Sequence, residues 1–468
     1  MNKWRNGKIM AISCLGLFMA MLDTLIVGVA LPQIELKLQT DMVHLEWVMN
    51  AYTLMFAVGM IPFSLLAERC GRRNGFVLGL ILFTGGSLLA GLSESILLLI
   101  VARGIQGIGA AAILPISLTL IYTAFPEEKR ALAVGIWSGI SGLGLTIGPL
   151  IGGIILDYFS WEMIFLVNVP IGVITILLCF FWIQESYGMK QRFDIVGLLL
   201  LTTGLFGIVY ALITGNLLTW GHLSIVIGAI GGVILLIAFL IWESRCSYSL
   251  ITLRLFRYPS FSVTNFVGFW MSAGIFGSIF VLTLFLQQVQ GYSPFEAGVR
   301  EMLWTTMTMI AAPIAGVFMN KYRVRSILMV GLLLQGIALC SFGFVINQLG
   351  PIFSFGYLAP GMIGAGIGMG LCFTGIQHGV LEGIPDQYTG EGSGVSNAIR
   401  ELGGVFGIAI AGVVFHRNGL VTSGQAFAEA LVPTVYVCAG MIGLACISLL
   451  YLYVKPLPKN AAHHVGGQ

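Results

Sequence analysis

The sequence has very little charge. Only 9% of its 468 residues are Asp, Glu, Lys or Arg, whereas 57% are hydrophobic, and its mean hydropathy is +0.95. Soluble globular domains carry about 25% charged residues, most of them on the surface. The composition therefore excludes a soluble protein and predicts a chain that lies in a membrane.

The sequence also lacks the local patterns that carry enzyme chemistry. No phosphate-binding GxxxxGK[ST] motif occurs, which excludes an ATPase site within the chain. No nucleophile–base or metal-ligand cluster is recognisable, and the eight cysteines have neither metal nor redox spacing. We therefore expect no enzyme activity, no metal and no cofactor. Any uphill transport must draw on an ion gradient or on a partner.

In place of charge, the sequence has a series of long apolar stretches. About 20 apolar residues in a helix span the hydrocarbon core of a bilayer. Fourteen stretches of this kind predict an all-α integral membrane protein with 14 transmembrane helices. Their approximate bounds are 9–33, 47–67, 75–93, 96–123, 130–155, 163–183, 194–214, 222–242, 259–288, 295–319, 326–347, 353–378, 394–416 and 431–453.

The few positive charges are distributed unevenly between the links. With the N-terminus in the cytoplasm, 18 of the 23 Lys and Arg residues lie on the cytoplasmic side, two lie outside and three lie within spans. Such an excess of Lys and Arg is typical of cytoplasmic links. We expect a multi-pass protein of the cytoplasmic membrane with both termini in the cytoplasm. The net charge of +3 thus reflects topology, and no nucleic-acid partner is expected.

The spans group as six, two and six along the chain. We expect an N-terminal six-helix half at 1–185, two extra linker helices with a cytoplasmic stretch at 186–258, and a C-terminal six-helix half at 259–468. Short basic links follow both the second and the tenth span, which is consistent with two related halves. Two six-helix halves with a site between them are a recurring plan of secondary transporters.

A run of small residues with one proline, GLTIGPLIGG, lies in the fifth apolar stretch. Its distinctive positions are Gly144, Gly148, Pro149, Gly152 and Gly153. Glycines about four residues apart give a helix one face without side chains, which a neighbouring helix can approach closely in lipid. The proline removes one backbone donor and bends the helix. The run alone is equally consistent with ordinary tight helix packing.

Two ionisable residues are expected deep within spans. Asp23 lies about ten residues from the outer end of the first span, roughly 15 Å by helical rise, where a carboxylate is costly unless protonated, paired or hydrated. Arg103 lies about seven residues inside the fourth span and keeps its proton, so it can pair with an acid but cannot carry a proton. We expect Asp23 to be a proton or cation site that Arg103 contacts directly or through water. The alternatives are structural hydrogen bonds for both residues.

Two runs match sequence signatures of the major facilitator superfamily at every fixed position. GLTIGPLIGG (144–153) matches the antiporter signature GxxxGPxxGG, and LIVARGIQGIGAA (99–111) matches LxxxRxxQGxGAA. The chain therefore resembles the 14-span drug:proton antiporter branch of this superfamily, the multidrug efflux type. The resemblance implies a role in proton coupling for Arg103.

Other runs resemble motifs of the same family less closely, so that the resemblance covers nearly the whole chain. They are LDTLIVGVALP (22–32), SLLAERCGRRNG (64–75), WEMIFLVNVPIG (161–172) and GYSPFEAG (291–298). The departures include Leu25 for threonine and Gly28 for asparagine in the first run, and Ser64 for glycine and Glu68 for aspartate in the second.

The link after the second span acquires a second role from this resemblance. Glu68, Arg69, Gly71, Arg72 and Arg73 form a basic turn that orients the chain. In the family this loop is also a charge-relay latch that stabilises one state of the transport cycle. Glutamate for aspartate keeps the charge but lengthens the side chain, so we expect a different latch geometry.

Two further acids lie in or near spans. Glu301 is expected near the outer end of the tenth span, beside Arg300 and three residues before Trp304, and Glu401 lies beside Arg400 in the thirteenth. Either acid can bind a proton or attract a cationic substrate, and Trp304 can add a cation–π contact. Alternatively, each acid is a solvated helix end or is neutralised by the neighbouring arginine.

Together these features predict a proton-coupled antiporter that exports small hydrophobic or amphiphilic drugs, with cationic drugs favoured. Its expected partners are the drug, protons and membrane lipid, and the sequence identifies no adaptor protein. The proton gradient is the expected energy source. The alternative is a dedicated exporter or flippase for a lipid, a fatty acid or an endogenous metabolite on the same fold.

Overall fold

The computed structural model describes residues 3–187, 194–218, 220–246, 250–319, 321–382, 384–385, 388–418 and 423–454. All regular secondary structure in these ranges is helical. The α-helices are α1 (Lys3–Leu38), α2 (Met42–Cys70), α3 (Arg72–Gly91), α4 (Ile96–Ala124), α5 (Glu127–Tyr158), α6 (Met163–Leu166), α7 (Asn168–Trp182), α8 (Ile195–Leu218), α9 (Leu223–Arg245), α10 (Pro259–Leu284), α11 (Pro294–Met319), α12 (Val324–Leu349), α13 (Ala359–Leu381), α14 (Thr389–Phe415) and α15 (Gly424–Val454).

The predicted all-α membrane fold is confirmed. Within the described ranges, 14 helical segments are long and apolar enough to cross a membrane, and each corresponds to one predicted span. The largest differences are at two starts. The twelfth span begins at Ala359 instead of residue 353, because a short 3₁₀ turn at Phe355–Tyr357 precedes it. The fourteenth begins at Gly424 instead of residue 431, because a more polar first turn belongs to the helix.

The sixth span consists of two helices, α6 and α7, with a break at Val167. The break has a local cause in the sequence. Pro170 has no backbone N–H and cannot donate to the carbonyl of Leu166, so the regular helical ladder is interrupted there. Asn168 consequently lies at the start of α7, directly after the break.

The chain divides into two compact units. The first contains Met1–Phe206 and Leu286–Met302, and the second contains Gly207–Phe285 and Leu303–Gln468. Helices α8 and α11 each contribute residues to both units. The expected division into two six-helix halves and a linker pair, with boundaries after residues 185 and 258, stays a prediction.

In the first unit, α4 packs against α1, α2 and α3, while α5 packs along α1. The interior between these helices is aliphatic and aromatic, with Leu17, Phe56, Phe76 and Phe83 at most 2% exposed. A polar side chain buried in such surroundings is costly unless it is hydrogen-bonded. The polar residues within this interior therefore identify where a functional site can lie.

In the second unit, α10 packs against α14 and α15, and α12 packs against α13 and α15. The backbones of helices α10 and α14 approach each other closely. A Cβ atom added to Gly403 would meet the carbonyl of Phe269, and one added to Gly407 would meet the carbonyl of Ala273. The two glycines are about one helical turn apart, so α14 presents a face without side chains to α10.

We expect Gly407→Val to destabilise the protein by about 1–3 kcal/mol, because the new side chain must displace the α10 backbone. Gly394→Val is the matched control, since a Cβ atom on Gly394 of the same helix meets nothing within 4 Å. Thermal unfolding in detergent, followed by the loss of monodisperse protein, measures both variants. Equal unfolding midpoints for the two variants would contradict the close approach of α10 and α14.

Candidate functional site

Asp23 on α1 and Arg103 on α4 form a buried ion pair in the first unit. Both side chains are 0% exposed, and Nη1 of Arg103 donates a hydrogen bond to Oδ2 of Asp23. The contact is direct, which is the first of the two arrangements expected from the sequence. Helix α1 continues to Leu38, beyond the predicted end, so Asp23 lies 15 residues from that end, about 22 Å along the axis. Asp23 thus lies farther from the end of its helix than predicted, whereas Arg103 lies seven residues from the start of α4, as predicted.

The guanidinium of Arg103 has further contacts that fix its position. Its Nε donates to the carbonyl of Val48 at 3.2 Å, and Nη1 also donates to Oε1 of Gln106 at 3.1 Å. Its centre lies 4.2 Å from the ring centroid of Tyr52 and 5.8 Å from that of Phe165. Arg103 thus has a backbone bond together with the ion pair, but to Val48 on α2 and not to the carbonyls around Gly104, Gly107 and Gly109, which were the expected alternative. The aromatic faces favour the cation where no water surrounds it.

The carboxylate of Asp23 connects four helices. Its Oδ1 accepts hydrogen bonds from Nε2 of Gln106 on α4 and from Nδ2 of Asn168 on α7, each at 3.3 Å. The same Gln106 nitrogen donates to Oγ of Ser87 on α3 at 2.7 Å. All of these side chains are buried. A change in the charge of Asp23 therefore alters the polar contacts among α1, α3, α4 and α7 at once.

Four members of this network were not assigned a role from the sequence. Gln106 and Asn168 lie in runs that resemble family motifs, and this was the only signal they carried. Ser87 and Tyr52 are neutral residues in apolar stretches, with no pattern that separates them from structural ones. Their roles depend on which helices pack together, since Tyr52 also donates from its hydroxyl to the carbonyl of Ala20 on α1 at 3.0 Å.

The small-residue run of α5 packs along the part of α1 that carries Asp23. Cβ atoms added to Gly144, Gly148 and Gly152 would each meet α1 at 3.1 Å or less. The nearest α1 carbonyls to these three positions are those of Phe18, Leu22 and Ile26, respectively. The face without side chains predicted for this run is therefore in contact with the turns on either side of Asp23.

The other face of the same run contacts the first residues of α11. A Cβ atom on Gly153 would meet the backbone of Phe295, and one on Gly298 would meet the carbonyl of Pro149. Both sides of these contacts belong to the first unit. The run at 144–153 thus joins α1 to residues 294–298.

Two acids near the same end of α5 have partners. Asp157 accepts a hydrogen bond from the hydroxyl of Ser293 at 3.4 Å, and Glu162 accepts one from Nζ of Lys37 at 2.6 Å. Partial burial alone would raise the pKa of Glu162, but hydrogen bonds, chiefly from Lys37 and Ser160, outweigh it and hold this pKa below its ordinary value. Glu162 therefore stays ionised at neutral pH.

The predicted latch loop forms two ion pairs. Glu68 accepts two hydrogen bonds from Arg72, from Nε at 2.8 Å and from Nη2 at 2.7 Å. Arg73 pairs with Glu185, with 3.9 Å between Nε and Oε2. The Glu185 carboxylate also accepts from the backbone N–H groups of Arg73, at 2.9 Å, and Asn74, at 3.1 Å. Glu185, which follows α7, thus caps the N-terminus of α3.

The rest of the loop is arranged around this carboxylate. Gly71 has a φ of 110°, and a Cβ atom there would overlap the carboxylate of Glu185. Arg69 is exposed. Glu185 was not identified from the sequence, where its one signal is that it is the single acid among residues 163–193. The role of the loop as a latch stays a prediction.

Glu401 is neutralised by its neighbour. It is 8% exposed, and its Oε1 accepts a hydrogen bond from Nη2 of Arg400 at 3.1 Å. The guanidinium of Arg400 lies 4.9 Å from the ring centroid of Phe373. The arrangement matches the local neutralisation expected as one alternative, and a role in substrate or proton binding stays a prediction.

Glu301 and Trp304 lie on successive turns of α11. Glu301 is partly buried, and Trp304 is 3% exposed with its ring 6.1 Å from that of Phe342. Arg300 donates to the carbonyl of Glu296 at 2.8 Å. Because the Trp304 ring is enclosed in this structure, a cation–π contact with a drug requires it to become accessible. The roles of Glu301 and Trp304 stay predictions.

Within this network, Asp23 is the side chain that can exchange a proton. Among the described residues, no three or more His, Cys, Asp or Glu side chains are grouped to hold a metal ion. Asp23 can gain or lose a proton, whereas the guanidinium that holds it cannot. Protonation of Asp23 would remove the ion pair and leave Arg103 with its backbone, amide and aromatic contacts.

Comparison with known proteins identifies the family. A sequence profile described as the Major Facilitator Superfamily matches residues 13–408. The chain belongs to this superfamily. It is therefore a multi-pass membrane transporter and not an enzyme, as the sequence predicted.

Several curated relatives of this transporter carry names of resistance or export proteins. It is 34% identical over 407 residues to the multidrug resistance protein Stp of Mycobacterium tuberculosis. The alignment covers 86% of this chain and 74% of Stp. It is 30% identical over 423 residues to the tetracenomycin C resistance and export protein of Streptomyces glaucescens, covering 90% and 78%. The methylenomycin A resistance protein of Bacillus subtilis is 29% identical over 435 residues, covering 93% of each chain.

Solved structures of two transporters have the same fold as this chain but low sequence identity to it. The xylose transporter XylE from E. coli, in a partially occluded inward-open conformation, has a TM-score of 0.65 with 12% identity and covers 97% of this chain and 98% of its own. A point mutant of the nucleoside transporter NupG has a TM-score of 0.67 with 11% identity, covering 96% and 100%. These similarities show the fold alone.

We expect Asp23→Leu to destabilise the transporter by about 3–5 kcal/mol, because Arg103 is then buried without its counter-charge. The double variant Asp23→Leu/Arg103→Met removes both charges and should regain most of this loss. A thermal-unfolding double-mutant cycle in detergent measures the coupling. If the losses of the single variants Asp23→Leu and Arg103→Met simply add in the double variant, the ion pair is not the contact that determines stability.

A second prediction concerns the cap on α3. Glu185→Gln should lower stability by about 0.5–2 kcal/mol, since the helix start loses a negative charge and Arg73 loses its partner. Glu94→Gln, at an exposed acid in the link between α3 and α4, is the matched control. Thermal unfolding of the two variants compares them, and a control that falls as far as Glu185→Gln would argue against the cap.

Proposed function

We propose that this transporter exports small hydrophobic or amphiphilic drugs from the cytoplasm in exchange for protons, with cationic drugs favoured. The observation that carries the proposal is the fully buried pair of Asp23 and Arg103. An ionisable residue inside a membrane span is costly and is usually functional. Drug export is supported by the names of the relatives, and proton coupling by the chemistry of the pair.

The first step of the proposed mechanism is a change of charge at Asp23. Ionised, the carboxylate attracts Arg103 and accepts hydrogen bonds from Gln106 and Asn168. Protonated, it loses its attraction to the guanidinium and becomes a weaker acceptor for both amides. Proton uptake therefore loosens the contacts of α1 with α4 and α7, and proton release restores them.

The second step carries this change along α5. Gly144, Gly148 and Gly152 bring α5 against the backbone of α1, so a shift of α1 relative to α4 displaces or separates α5. The opposite face of α5 contacts residues 294–298. A continuous series of packed contacts thus leads from Asp23 to this segment, which supports coupling between protonation and access to the substrate path.

Drug and proton need not compete for one carboxylate in this mechanism. Asp23 is 0% exposed and surrounded by protein side chains. We therefore favour coupling through helix packing, in which drug and protonated Asp23 stabilise different arrangements of the same helices. Glu401 and Glu301 are candidate contacts for a cationic drug.

We also infer where the protein lies and which energy source drives transport. The protein lies in the cytoplasmic membrane with both termini in the cytoplasm, because this orientation places 18 of 23 Lys and Arg residues inside. The proton gradient supplies the energy, and no bound cofactor takes part.

A second candidate function is a dedicated exporter or flippase for one endogenous compound, such as a lipid, a fatty acid or a metabolite. The observation that favours it is that two relatives are named for resistance to a single compound, tetracenomycin C or methylenomycin A. A transporter of this fold can therefore serve a narrow range of cargo.

We expect cationic drugs to release protons from acidified inverted vesicles that contain the wild-type protein. Asp23→Asn and Arg103→Ala should abolish this release, because the titrating group or its counter-charge is missing. Glu94→Gln, at an exposed acid, is the matched control and should keep full activity. A pH-sensitive dye in the vesicle lumen gives the rate, and gel filtration confirms that each variant is folded. Proton release that persists in folded Asp23→Asn protein would remove Asp23 from the mechanism.

The same assay separates the two candidate functions. A panel of cationic, neutral and anionic compounds is added to wild-type vesicles. Responses to several unrelated cations support multidrug:proton antiport. A response to one compound alone, or to fatty acids or lipids alone, would favour the dedicated exporter.

A further inference from the structure

A cavity of about 460 Å³ lies where the ends of three membrane helices meet in the first unit. It is formed by the start of α1, the start of α3 and the residues at the end of α7 and after it. Ligand pockets typically have volumes of roughly 300–1,000 Å³. Because all three helices are membrane spans that begin or end there, the cavity lies at the boundary between the hydrocarbon core and water.

The cavity has an excess of positive charge. Arg5, Lys8 and Arg73 line it, and Glu185 is the only acid among its lining residues. The Glu185 carboxylate is already engaged by the backbone at the start of α3, and the ion pair that it forms with Arg73 is long, at 3.9 Å. Two of the three cations have no acidic partner in this lining, so the cavity is electrostatically suited to an anion.

Aromatic side chains position these cations at the membrane boundary. Nζ of Lys8 lies 4.4 Å from the ring centroid of Trp182, and the guanidinium of Arg73 lies 5.7 Å from that of Phe180. Next to them, Phe181 is 78% exposed at the last turn of the span. Aromatic rings in this position lie at the level of the lipid headgroups.

We propose that this cavity binds the phosphate headgroup of an anionic phospholipid. Arg5 and Lys8 contact the phosphate, Arg73 adds charge from the start of α3, and the exposed rings of Phe180 and Phe181 contact the acyl chains beside it. Basic pockets between membrane helices are suited to anionic headgroups by the same electrostatics. The apolar rim favours a lipid over a free anion, because a soluble phosphate has no apolar group to pack against it.

The test compares the association of spin-labelled phosphatidylglycerol and spin-labelled phosphatidylcholine with the full-length protein in phosphatidylcholine vesicles, by electron paramagnetic resonance. We expect wild type to prefer phosphatidylglycerol, and Arg5→Gln/Lys8→Gln to reduce this preference by about fivefold or more. The charge-preserving variant Arg5→Lys/Lys8→Arg should retain it. Gel filtration confirms that the variants are folded.

The matched control is Arg254→Gln/Arg257→Gln, which removes two exposed cations from a 3₁₀ turn in the second unit. It should leave the lipid preference unchanged. An equal loss in this control, or no loss in Arg5→Gln/Lys8→Gln, would overturn the proposal, because the preference would then reflect overall charge. Abolition of the preference by millimolar inorganic phosphate would overturn it in favour of a site for a free anion. The assay measures neither drug nor proton movement, so its outcome is independent of the proposed function.

Discussion

The buried ion pair between Asp23 and Arg103 is the interaction on which the arrangement of the first unit depends. The hydrocarbon core of a bilayer offers no water to either charge, so each must be satisfied by protein groups. The arginine contributes one bond to the acid, and its other contacts come from α2, α4 and an aromatic side chain of α6. The acid draws on α4 and α7. Few arrangements of these helices bring all of these contacts together, which makes the packing specific.

The close contact of α1 with α5 and the ion pair of Asp23 with Arg103 lie along the same part of α1. Helix α5 covers one side of α1 through a face without side chains, and the polar network holds another side. A bulky residue on this face of α5 would move α1 away from its position beside Arg103. The glycines of the run at 144–153 therefore maintain the geometry of a site to which they make no polar contact. Pro149 and Gly153 extend the same constraint to residues 294–298.

Much of the fold was predictable because lipid imposes a simple rule on sequence. A span needs about 20 apolar residues, and this length identified all 14 spans, with errors mainly where a 3₁₀ turn or a polar first turn adjoins a helix. The pairing of Asp23 with Arg103 was also predictable, since buried charges are few and lie at comparable depth. Gln106 and Asn168 were not assigned roles, because the direction in which a neutral amide points depends on helix packing. Glu185 was missed because it caps a helix more than 100 residues away in sequence.

The close approach of α10 and α14 repeats that of α1 and α5 with one chemical difference. A Cβ atom added to Gly407 would meet the carbonyl of Ala273, and one added to Gly148 would meet that of Leu22. The residue after Leu22 is Asp23, whereas the residue after Ala273 is Gly274, where even a Cβ atom would meet the carbonyl of Cys438 at 2.7 Å. The two helix contacts are therefore alike in their close packing and differ in the residue that follows the carbonyl. A change of charge at Asp23 would therefore act directly on the packing of α1 against α5, whereas α10 carries a residue without a side chain at the corresponding place in its contact with α14.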